Sequence, residues 1–397
     1  MINRIKTMVA AAKSDAVFIR RHLHRHPELS FQEYETSRYI KSTLQSYGIA
    51  FETVADTGVI ARIEGTLSPS EHTVILRADM DALPIQEENA TEFTSQNAGV
   101  MHACGHDFHT ANLLSVLKIL AQLRNEFSGV VIGVFQPAEE KIPGGALSVL
   151  ASKKLPALSE NIRGVIGLHV SPELESGKIG IKAGRFMASS DEIFVTIKGK
   201  GGHGAQPHQN IDPVVISAQL ILSLQQIVSR TANPATPSVL SFGRVWADGA
   251  TNVIPNSVYI EGTFRTMDEK WRLHALELIE KQIVELPKIY GAEANVEIRR
   301  GYPVLMNDIA LTKKVSSLIT EYGNPELLEQ VDIWMAAEDF AYYSHVYPSV
   351  FYLVGVRNAE KGYTSALHTP TFQIDEDAFE QAMGSMLYTA LKLLEQR

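Results

Sequence analysis

Short apolar runs alternate with stretches of helical periodicity over much of the chain. Apolar runs suited to buried strands lie at 73–76, 130–135, 164–168 and 350–354. Helical spacing or composition is found at 1–47, with a stop at Gly48, and at 110–123, 309–322 and from 376 onward. Strands that alternate with helices favour an α/β fold, in which a mainly parallel sheet is sandwiched by helices.

The middle of the chain has a different order of elements. Strands are expected at 193–197, 239–246, 257–265 and 294–298, and helices at 212–229 and 268–290. Asp212 followed by Pro213 is a good helix start, a cap and then a first-turn residue. This β-α-β-β-α-β order is typical of ferredoxin-like domains. We therefore expect an inserted α+β domain at 184–298 and a larger, discontinuous domain built from 1–183 and 299–397.

Composition narrows the classes of partner. The 36 Lys and Arg against 45 Asp and Glu give a net charge of −9, which disfavours nucleic acid because phosphates require a basic face. The N-terminus lacks the apolar run of a signal peptide, and no stretch approaches the ~18 apolar residues of a membrane span. One cysteine rules out an intramolecular disulfide and fits a reducing compartment. We expect a cytoplasmic protein without a membrane partner.

The single cysteine lies in the segment with the most distinctive chemistry. Cys104 is two residues before His106, and a thiolate and an imidazole at this range suit zinc and similar divalent ions. The alternative for Cys104 alone is a small buried hydrophobe.

Further candidates follow other predicted strands. Ligands gather beyond the carboxyl ends of strands in open α/β sheets, so these side chains are expected to meet there: Asp79, Glu139, Glu140, His169 and His368. In isolation His169 could be a core histidine, and the glutamates could be a solvated pair. Their joint placement indicates metal-assisted hydrolysis, in which one carboxylate holds an ion and the other takes a proton from water.

Several motifs then resemble one family. They are Leu76-Arg77-Ala78-Asp79-Met80-Asp81-Ala82-Leu83-Pro84, His102-Ala103-Cys104-Gly105-His106-Asp107, Gln136-Pro137-Ala138-Glu139-Glu140, Gly167-Leu168-His169-Val170 and Gly201-Gly202-His203-Gly204-Ala205. In this order they resemble the amidohydrolase branch of the dinuclear metallopeptidases. That branch includes hippurate hydrolases, auxin-conjugate hydrolases, N-acetyl-diaminopimelate deacetylases and related N-acyl amino acid hydrolases.

The resemblance implies two divalent ions per subunit, manganese or zinc, with nickel or cobalt as alternatives. Its implied ligands are Cys104, His106, Glu140, His169 and His368, with Cys104 in place of the bridging aspartate of the wider clan. Glu139 is implied as general base and then general acid. Arg77 occupies the position at which the wider clan has a ligand histidine, and His106 would replace that histidine. Asp79 is expected to orient one of the metal ligands without binding a metal itself.

The inserted domain resembles a lid and dimerisation domain. There His203 would reach toward the partner subunit's site and stabilise the oxyanion, with a flexible loop residue as the alternative. Asn252 and Arg265 match positions of substrate contact. An arginine fork suits a substrate carboxylate, although Arg265 could equally be a surface strand residue. A homodimer or dimer-based oligomer is expected.

Two more histidines could suggest a second metal site. His22 and His26 fall four residues apart, as ligands on one helical face would. The histidines of this segment are not among the ligands of the family it resembles, so we expect them to be structural or to face solvent.

The predicted activity is hydrolysis of the amide bond of N-acyl amino acids, such as N-acetyl or N-benzoyl derivatives. Two alternatives remain open at this point. One is a dipeptidase or carboxypeptidase with the same metals, and the other is a non-catalytic metal-binding homologue.

Overall fold

The structure is a computed structural model that describes residues 1–157, 159 and 161–395. The chain forms two compact units: unit 1 comprises Met1–Gly184, Met306–Asp332 and Asp339–Arg397, and unit 2 comprises Arg185–Leu305 and Ile333–Glu338. The inserted unit is thus longer than the predicted 184–298 and includes a short return segment. Backbone hydrogen bonds hold that segment, since Trp334 donates to Phe186 and accepts from Ala188.

The described residues form nine α-helices and sixteen strands. The helices are α1 Ile2–Arg25, α2 Tyr34–Ser46, α3 His106–Gln122, α4 Gly145–Ala151, α5 Pro213–Gln226, α6 Glu269–Lys288, α7 Ile309–Tyr322, α8 Ala341–Ser344 and α9 Phe379–Leu394. The strands are β1 Ala50–Val54, β2 Gly58–Thr66, β3 Thr73–Asp79, β4 Ser128–Gln136, β5 Ile162–Glu175, β6 Ile179–Ile181, β7 Gly184–Met187, β8 Asp191–Lys198, β9 Gly202–His203, β10 Ser238–Ala247, β11 Val253–Ile254, β12 Ser257–Thr266, β13 Glu293–Arg300, β14 Leu305–Asn307, β15 Leu328–Gln330 and β16 Ser349–Arg357. Among the described residues, no helix has both the length and the apolarity needed to cross a membrane.

Unit 1 contains an eight-stranded sheet in the order β1-β2-β4-β3-β5-β16-β6-β15. Its four central strands, β4, β3, β5 and β16, are parallel. All seven residues of β3 are buried, and successive side chains of a strand point to opposite faces, so both faces are covered. This confirms the predicted α/β class with a mainly parallel sheet. The antiparallel hairpin of β1 and β2 was not predicted, although β2 contains the buried residues Val59, Ile60 and Ala61; four of the five β1 residues are exposed.

The predicted helical stretch over residues 1–47 is interrupted. α1 ends at Arg25, and α2 begins only at Tyr34. Pro27 explains the break, because proline disfavours a helical conformation of the residue before it. The segment between the helices is tied to the end of β3 instead, since Ala82 donates its amide to the carbonyl of Glu28 over 2.8 Å.

Unit 2 contains an antiparallel four-stranded sheet in the order β10-β12-β8-β13, with α5 and α6 in the chain between its strands. This confirms the predicted ferredoxin-like arrangement. Asp212 caps α5 as expected, accepting from the amides of Val214 and Val215. The helix predicted to reach residue 229 is α-helical only to Gln226 and continues as a π-turn, Ile227–Thr231. Isoleucines of β8, including Ile193 and Ile197, lie in the core of this unit.

A buried ion pair joins α6 to β8. Arg272 donates to both carboxylate oxygens of Asp191, over 2.8 and 2.7 Å, and to the carbonyl of Gly301. Removing one partner of a buried pair leaves the other charge without compensation. We expect Arg272→Met to lower the free energy of unfolding by about 3–5 kcal/mol, measured by urea denaturation.

The matched control for this prediction is Arg244→Met. Arg244 forms an exposed pair with Glu261 at 3.1 Å, and exposed pairs contribute about 0–1 kcal/mol. If Arg272→Met and Arg244→Met lowered the free energy of unfolding equally, burial would not determine the contribution of the Arg272–Asp191 pair.

Candidate metal centre

The fold brings the predicted ligands together from four separate parts of unit 1. Glu139 and Glu140 follow the end of β4, and His106 is the first residue of α3, directly after Cys104 and Gly105. His169 lies inside β5 rather than at its end, because the strand continues to Glu175 in register with β16. His368 lies in the loop between β16 and α9.

Gly105 is required between the first two candidates. Its φ of +87° is a left-handed conformation that side chains rarely adopt. A Cβ added there would lie 2.4 Å from Val170 Cγ2. The glycine therefore allows the chain to turn sharply into α3 while Cys104 and His106 remain two residues apart.

The five predicted ligands form two groups of three that share one sulfur. Cys104 groups with His106 and His169, and it also groups with Glu140 and His368; the candidate ligand atoms within each group lie within 4.8 Å of one another. Cys104 Sγ lies 3.3 Å from His169 Nε2 and 3.2 Å from His368 Nε2. A thiolate at the junction of two donor groups is in a position to bridge two cations.

Two donor atoms support this interpretation directly. His106 Nε2 and Glu140 Oε1 are buried, make no hydrogen bond among the described residues and lie 3.9 Å apart, and His368 Nε2 lies 3.2 Å from the same Glu140 oxygen. Buried polar atoms are otherwise nearly always hydrogen-bonded, so a cation would satisfy both. The residues present therefore fit a metal centre.

The other ring nitrogen of each buried imidazole is held by the protein. His106 Nδ1 lies 3.2 Å from Asp81 Oδ1, and His169 Nδ1 lies 2.7 Å from the carbonyl of Val170. In the neutral ring, donation from Nδ1 leaves the lone pair of Nε2 free for a cation, the arrangement that metal-ligating histidines use. Asp81 also accepts from the amide of Glu140 over 3.0 Å, so one carboxylate positions two candidate ligands.

A third group of potential donors, Asp79, His106 and His109, is not a second metal site. His109 Nδ1 lies 2.6 Å from Asp79 Oδ1, and His109 Nε2 accepts from the amide of Val170. Both nitrogens are used, so no lone pair remains for an ion. Asp79 was predicted to orient a ligand; it binds His109 and Arg77, while Asp81 contacts His106 Nδ1.

The electrostatic environment differs among the buried donors. Burial raises the pKa of the Cys104 thiol well above its usual range, and the Glu140 and Glu139 carboxylates raise it further. Burial lowers the pKa of His106, but Asp79 and Asp81 outweigh this effect and raise it to about 10. Burial lowers the pKa of His169 well below its usual range. Cys104 and His106 must therefore release protons to coordinate a cation, whereas His169 is already neutral.

His368 is the most exposed of the five, and its backbone is strained. Its φ is +60°, an unusual conformation for a residue other than glycine. Its amide donates to the carbonyl of Ala103 over 2.9 Å, which ties this loop to the residue before Cys104. Such strain persists only where surrounding contacts impose it, so we attribute it to presentation of the imidazole.

Glu139 belongs to the same site but has different surroundings. Together with His106 and Glu140 it forms a group whose donor atoms lie within 4.8 Å of one another, and its Oε1 accepts from the amide of Asp339 over 3.4 Å. Ala138, directly before it, has a φ of +53°. This left-handed residue reverses the chain after β4.

A fully buried arginine lies behind the site. The Arg77 guanidinium donates to Asp79, Gln136 and Asp339 over 2.6, 3.0 and 2.7 Å. Its five N–H groups thus link the ends of β3 and β4 with the residue that contacts Glu139. A guanidinium offers donors only and no lone pair, so Arg77 is not part of the donor set.

The remaining predicted residues lie in unit 2. His203 on β9 pairs with Val253 on β11, and Gly204 donates to the carbonyl of Asn252, so His203 and Asn252 are neighbours. Arg265 lies on β12, in a different sheet from the β9–β11 pair, and donates to the carbonyl of Met335 over 3.3 Å.

Sequence patterns did not identify the roles of Asp81 and His109. Asp81 was quoted within a motif, and His109 was not singled out. A usable signal did exist for Asp81, because it is two residues beyond Asp79 at the same strand end. The role of His109 depends on a backbone amide of β5, and the sequence gives no sign of that contact.

Comparison with known proteins identifies the family. Residues 75–392 match the family model described as peptidase family M20/M25/M40. The chain is 46% identical over 304 residues to an N-acyl-L-amino acid amidohydrolase of Geobacillus stearothermophilus, covering 76% of this chain and 80% of that protein. It is 38% identical over 390 residues to an N-acetyl-L-cysteine deacetylase of Bacillus subtilis, covering 98% and 90%.

A solved structure gives the same result for the fold. A Bacillus subtilis protein described as a dinuclear metal-binding peptidase of the M20 family superposes with a TM-score of 0.82 at 35% identity, covering 98% of this chain and 100% of that one. The chain therefore belongs to peptidase family M20/M25/M40 and is a hydrolytic enzyme.

Proposed function

We propose that the enzyme hydrolyses the amide bond between an acyl group and an amino acid. The observation that carries this proposal is the pair of three-donor groups that share Cys104, next to the carboxylate of Glu139. The amidohydrolase and deacetylase names of the two relatives support the N-acyl substrate class.

Two divalent ions would be held by Cys104, His106, Glu140, His169 and His368, with Cys104 common to both three-donor groups. When bound, such ions lower the pKa of a coordinated water toward about 7 and polarise the scissile carbonyl. Thiolate and imidazole favour zinc, whereas the carboxylate also suits manganese; nickel and cobalt are the alternatives. Because a thiolate ligand must remain reduced, we also propose a cytoplasmic location.

Glu139 transfers a proton from water to the leaving nitrogen during the reaction. It takes a proton from the attacking water as the oxygen bonds to the carbonyl carbon, and it gives that proton to the nitrogen as the C–N bond breaks. The products are a carboxylate and a free amino acid. The adjacent Glu140 cannot share this role while it serves as a metal ligand.

Residues of unit 2 are assigned to substrate recognition. His203 Nδ1 accepts from the amide of Ala205 over 3.1 Å, so the ring proton of the neutral form is on Nε2, where it can be donated to an oxyanion. Burial lowers the pKa of the Arg265 guanidinium, and no carboxylate of the described residues forms an ion pair with it. We therefore assign Arg265, with Asn252, to the carboxylate end of the substrate.

We further propose that the enzyme pairs with a second copy through unit 2. β10 is an edge strand with a neighbour on one side only, and Val245 and Trp246 on it are 52% and 61% exposed. Leu222 on the adjacent α5 is 72% exposed. An unprotected apolar edge of this kind is suited to pairing with another strand.

Val245→Glu combined with Leu222→Glu is expected to convert a dimer into a monomer, because it places charges on the apolar edge. Light scattering coupled to gel filtration measures the mass directly. Leu67→Glu, at an apolar position in unit 1 that is 63% exposed, is the control and should leave the dimer intact. A monomeric wild-type enzyme would contradict the proposal.

The activity is tested by metal analysis followed by a substrate panel. The purified protein is loaded separately with zinc, manganese, nickel and cobalt and assayed on N-acetyl and N-benzoyl amino acids and on dipeptides. We expect kcat/KM to be at least ~10-fold higher for an N-acyl amino acid than for any dipeptide. Both substrates react at an amide carbonyl, so the difference would come from contacts that the enzyme makes with the acyl group.

The second candidate, a dipeptidase or carboxypeptidase, is favoured by the description of the solved Bacillus subtilis structure as a peptidase. Faster cleavage of dipeptides in the panel would establish it. No turnover of any substrate in the panel with any of the four metals would contradict the proposed activity.

A further inference from the structure

Glu33 is a fully buried carboxylate that does not do what its position suggests. It is the N-cap residue of α2, yet its side chain makes no capping hydrogen bond. Glu28 caps the helix instead, since its two carboxylate oxygens accept from the amides of Glu35 and Thr36 over 3.1 and 2.8 Å. The Glu33 carboxylate is therefore available for other contacts.

Those contacts lead to the catalytic turn. Glu33 Oε1 accepts from the amide of Ala138 over 2.8 Å and from that of Phe31 over 2.9 Å. Glu33 Oε2 accepts from the hydroxyl of Thr57 over 2.8 Å. Ala138 is 105 residues away in the sequence and directly precedes Glu139.

The Ala138 contact stabilises an unfavourable backbone conformation. Ala138 has a φ of +53°, Phe31 has a φ of +65°, and neither is glycine. Left-handed conformations of such residues persist only when their surroundings impose them. The buried amide of Ala138 also needs an acceptor, and a carboxylate is a stronger acceptor than a neutral oxygen.

No cation accompanies this buried charge. Among the described residues, no Lys, Arg or His forms an ion pair with Glu33, and its carboxylate is stabilised by backbone amides and the Thr57 hydroxyl. Burial of a carboxylate without a counter-ion destabilises the folded state. If this position served only the packing of α2, an apolar residue would make the fold more stable. These contacts indicate that Glu33 holds the backbone of Ala138 and Phe31 in place.

We propose that Glu33 is a positioning residue for the reaction: it holds Ala138 in its left-handed conformation and thereby sets the direction of the Glu139 carboxylate. This inference rests on the proposed function of Glu139. The opposite end of the same turn is held independently, because Glu140 donates its amide to Asp81. Loss of Glu33 should therefore displace Glu139 more than the metal ligand after it.

The kinetic test compares Glu33→Ala with a rescue variant. We expect Glu33→Ala to lower kcat about 100-fold, as displacement of a catalytic group by about 1 Å can do, with KM and metal content nearly unchanged. Adding Ala138→Gly should recover at least ~10-fold of that loss, because glycine adopts positive φ without the carboxylate. Glu33→Gln keeps an acceptor oxygen and should stay within ~10-fold of wild type.

Thr57→Val is the matched control. It removes the partner of Glu33 Oε2 and leaves the Ala138 contact in place, so kcat should stay unchanged even if the protein becomes less stable. If Glu33→Ala is insoluble, Glu33→Asp replaces it, since it keeps the charge but cannot reach as far; a loss of kcat is expected there too.

Hydrogen exchange of the segment 136–142 gives a readout that requires no substrate. Glu33→Ala or Glu33→Asp should speed exchange of this segment at least ~10-fold, and Thr57→Val should not. Wild-type exchange in the Glu33 variants would overturn the proposal. So would full kcat, failure of Ala138→Gly to rescue, or a loss of activity that merely follows lost metal. An inactive wild-type enzyme would instead refute the proposed function, and exchange would still decide the role of Glu33.

Discussion

Cys104→Ala is expected to yield a folded protein that binds neither ion tightly and loses at least ~10⁴-fold in kcat/KM. The reason is that Cys104 is the only residue common to both three-donor groups. The expected loss in kcat/KM exceeds the ~10²–10⁴-fold that is typical for an acid–base group, because removal of Cys104 also removes the ions that activate water. Metal content by plasma mass spectrometry and steady-state kinetics measure the two effects on the same sample.

His26→Gln is the control for the Cys104 variant. His26 lies with His22 in a cleft of about 520 Å³, where His22 stacks on Tyr39 with ring centroids 4.0 Å apart. Neither histidine belongs to the described groups of potential metal ligands, so this variant should keep both ions and full activity. A Cys104→Ala protein that retains two equivalents of metal would contradict the shared role of the sulfur.

Glu139→Gln is expected to keep both ions and to lose about 10²–10⁴-fold in kcat, with KM little changed. The amide has the same size and can still accept from the amide of Asp339, so the turn should stay in place. It cannot take a proton from water, however, and the chemical step fails. Kinetics at saturating substrate, with metal content measured in parallel, check this prediction.

The neighbouring glutamate provides the comparison. Glu140→Gln should lose metal, and excess metal should restore part of its activity, because its carboxylate is the missing ligand. Excess metal should not help Glu139→Gln. Wild-type turnover in the Glu139 variant, or the same metal response in both, would contradict the division of roles between the two glutamates.

The parts of the fold that follow apolar periodicity could be predicted from the sequence. β3 and α7 lie where their hydrophobic runs place them. The candidate ligands could be identified because they follow predicted strands or lie at the start of a helix, where α/β sheets gather their ligands, and the family resemblance supplied the set of five. His169 differs from this expectation in position, because it lies inside β5 and not at its end. Their roles as ligands remain a prediction that metal analysis must test.

Other features could not be predicted because they depend on contacts between distant backbone groups. The return of residues 333–338 to unit 2 depends on hydrogen bonds of Trp334. The roles of Asp81, His109 and Glu33 depend on amides of Glu140, Val170 and Ala138, and an amide is present at every residue other than proline. A sequence pattern shows which side chains are polar, but it does not show which backbone groups they reach.

The central claim is that one sulfur joins two metal sites. The most direct test is a crystal structure of the zinc- or manganese-loaded enzyme with anomalous difference maps recorded at the metal edge. Two anomalous peaks on either side of Cys104 Sγ, one next to His106 and the other next to His368, are the predicted result. A single peak, or two peaks that do not share the sulfur, would contradict it.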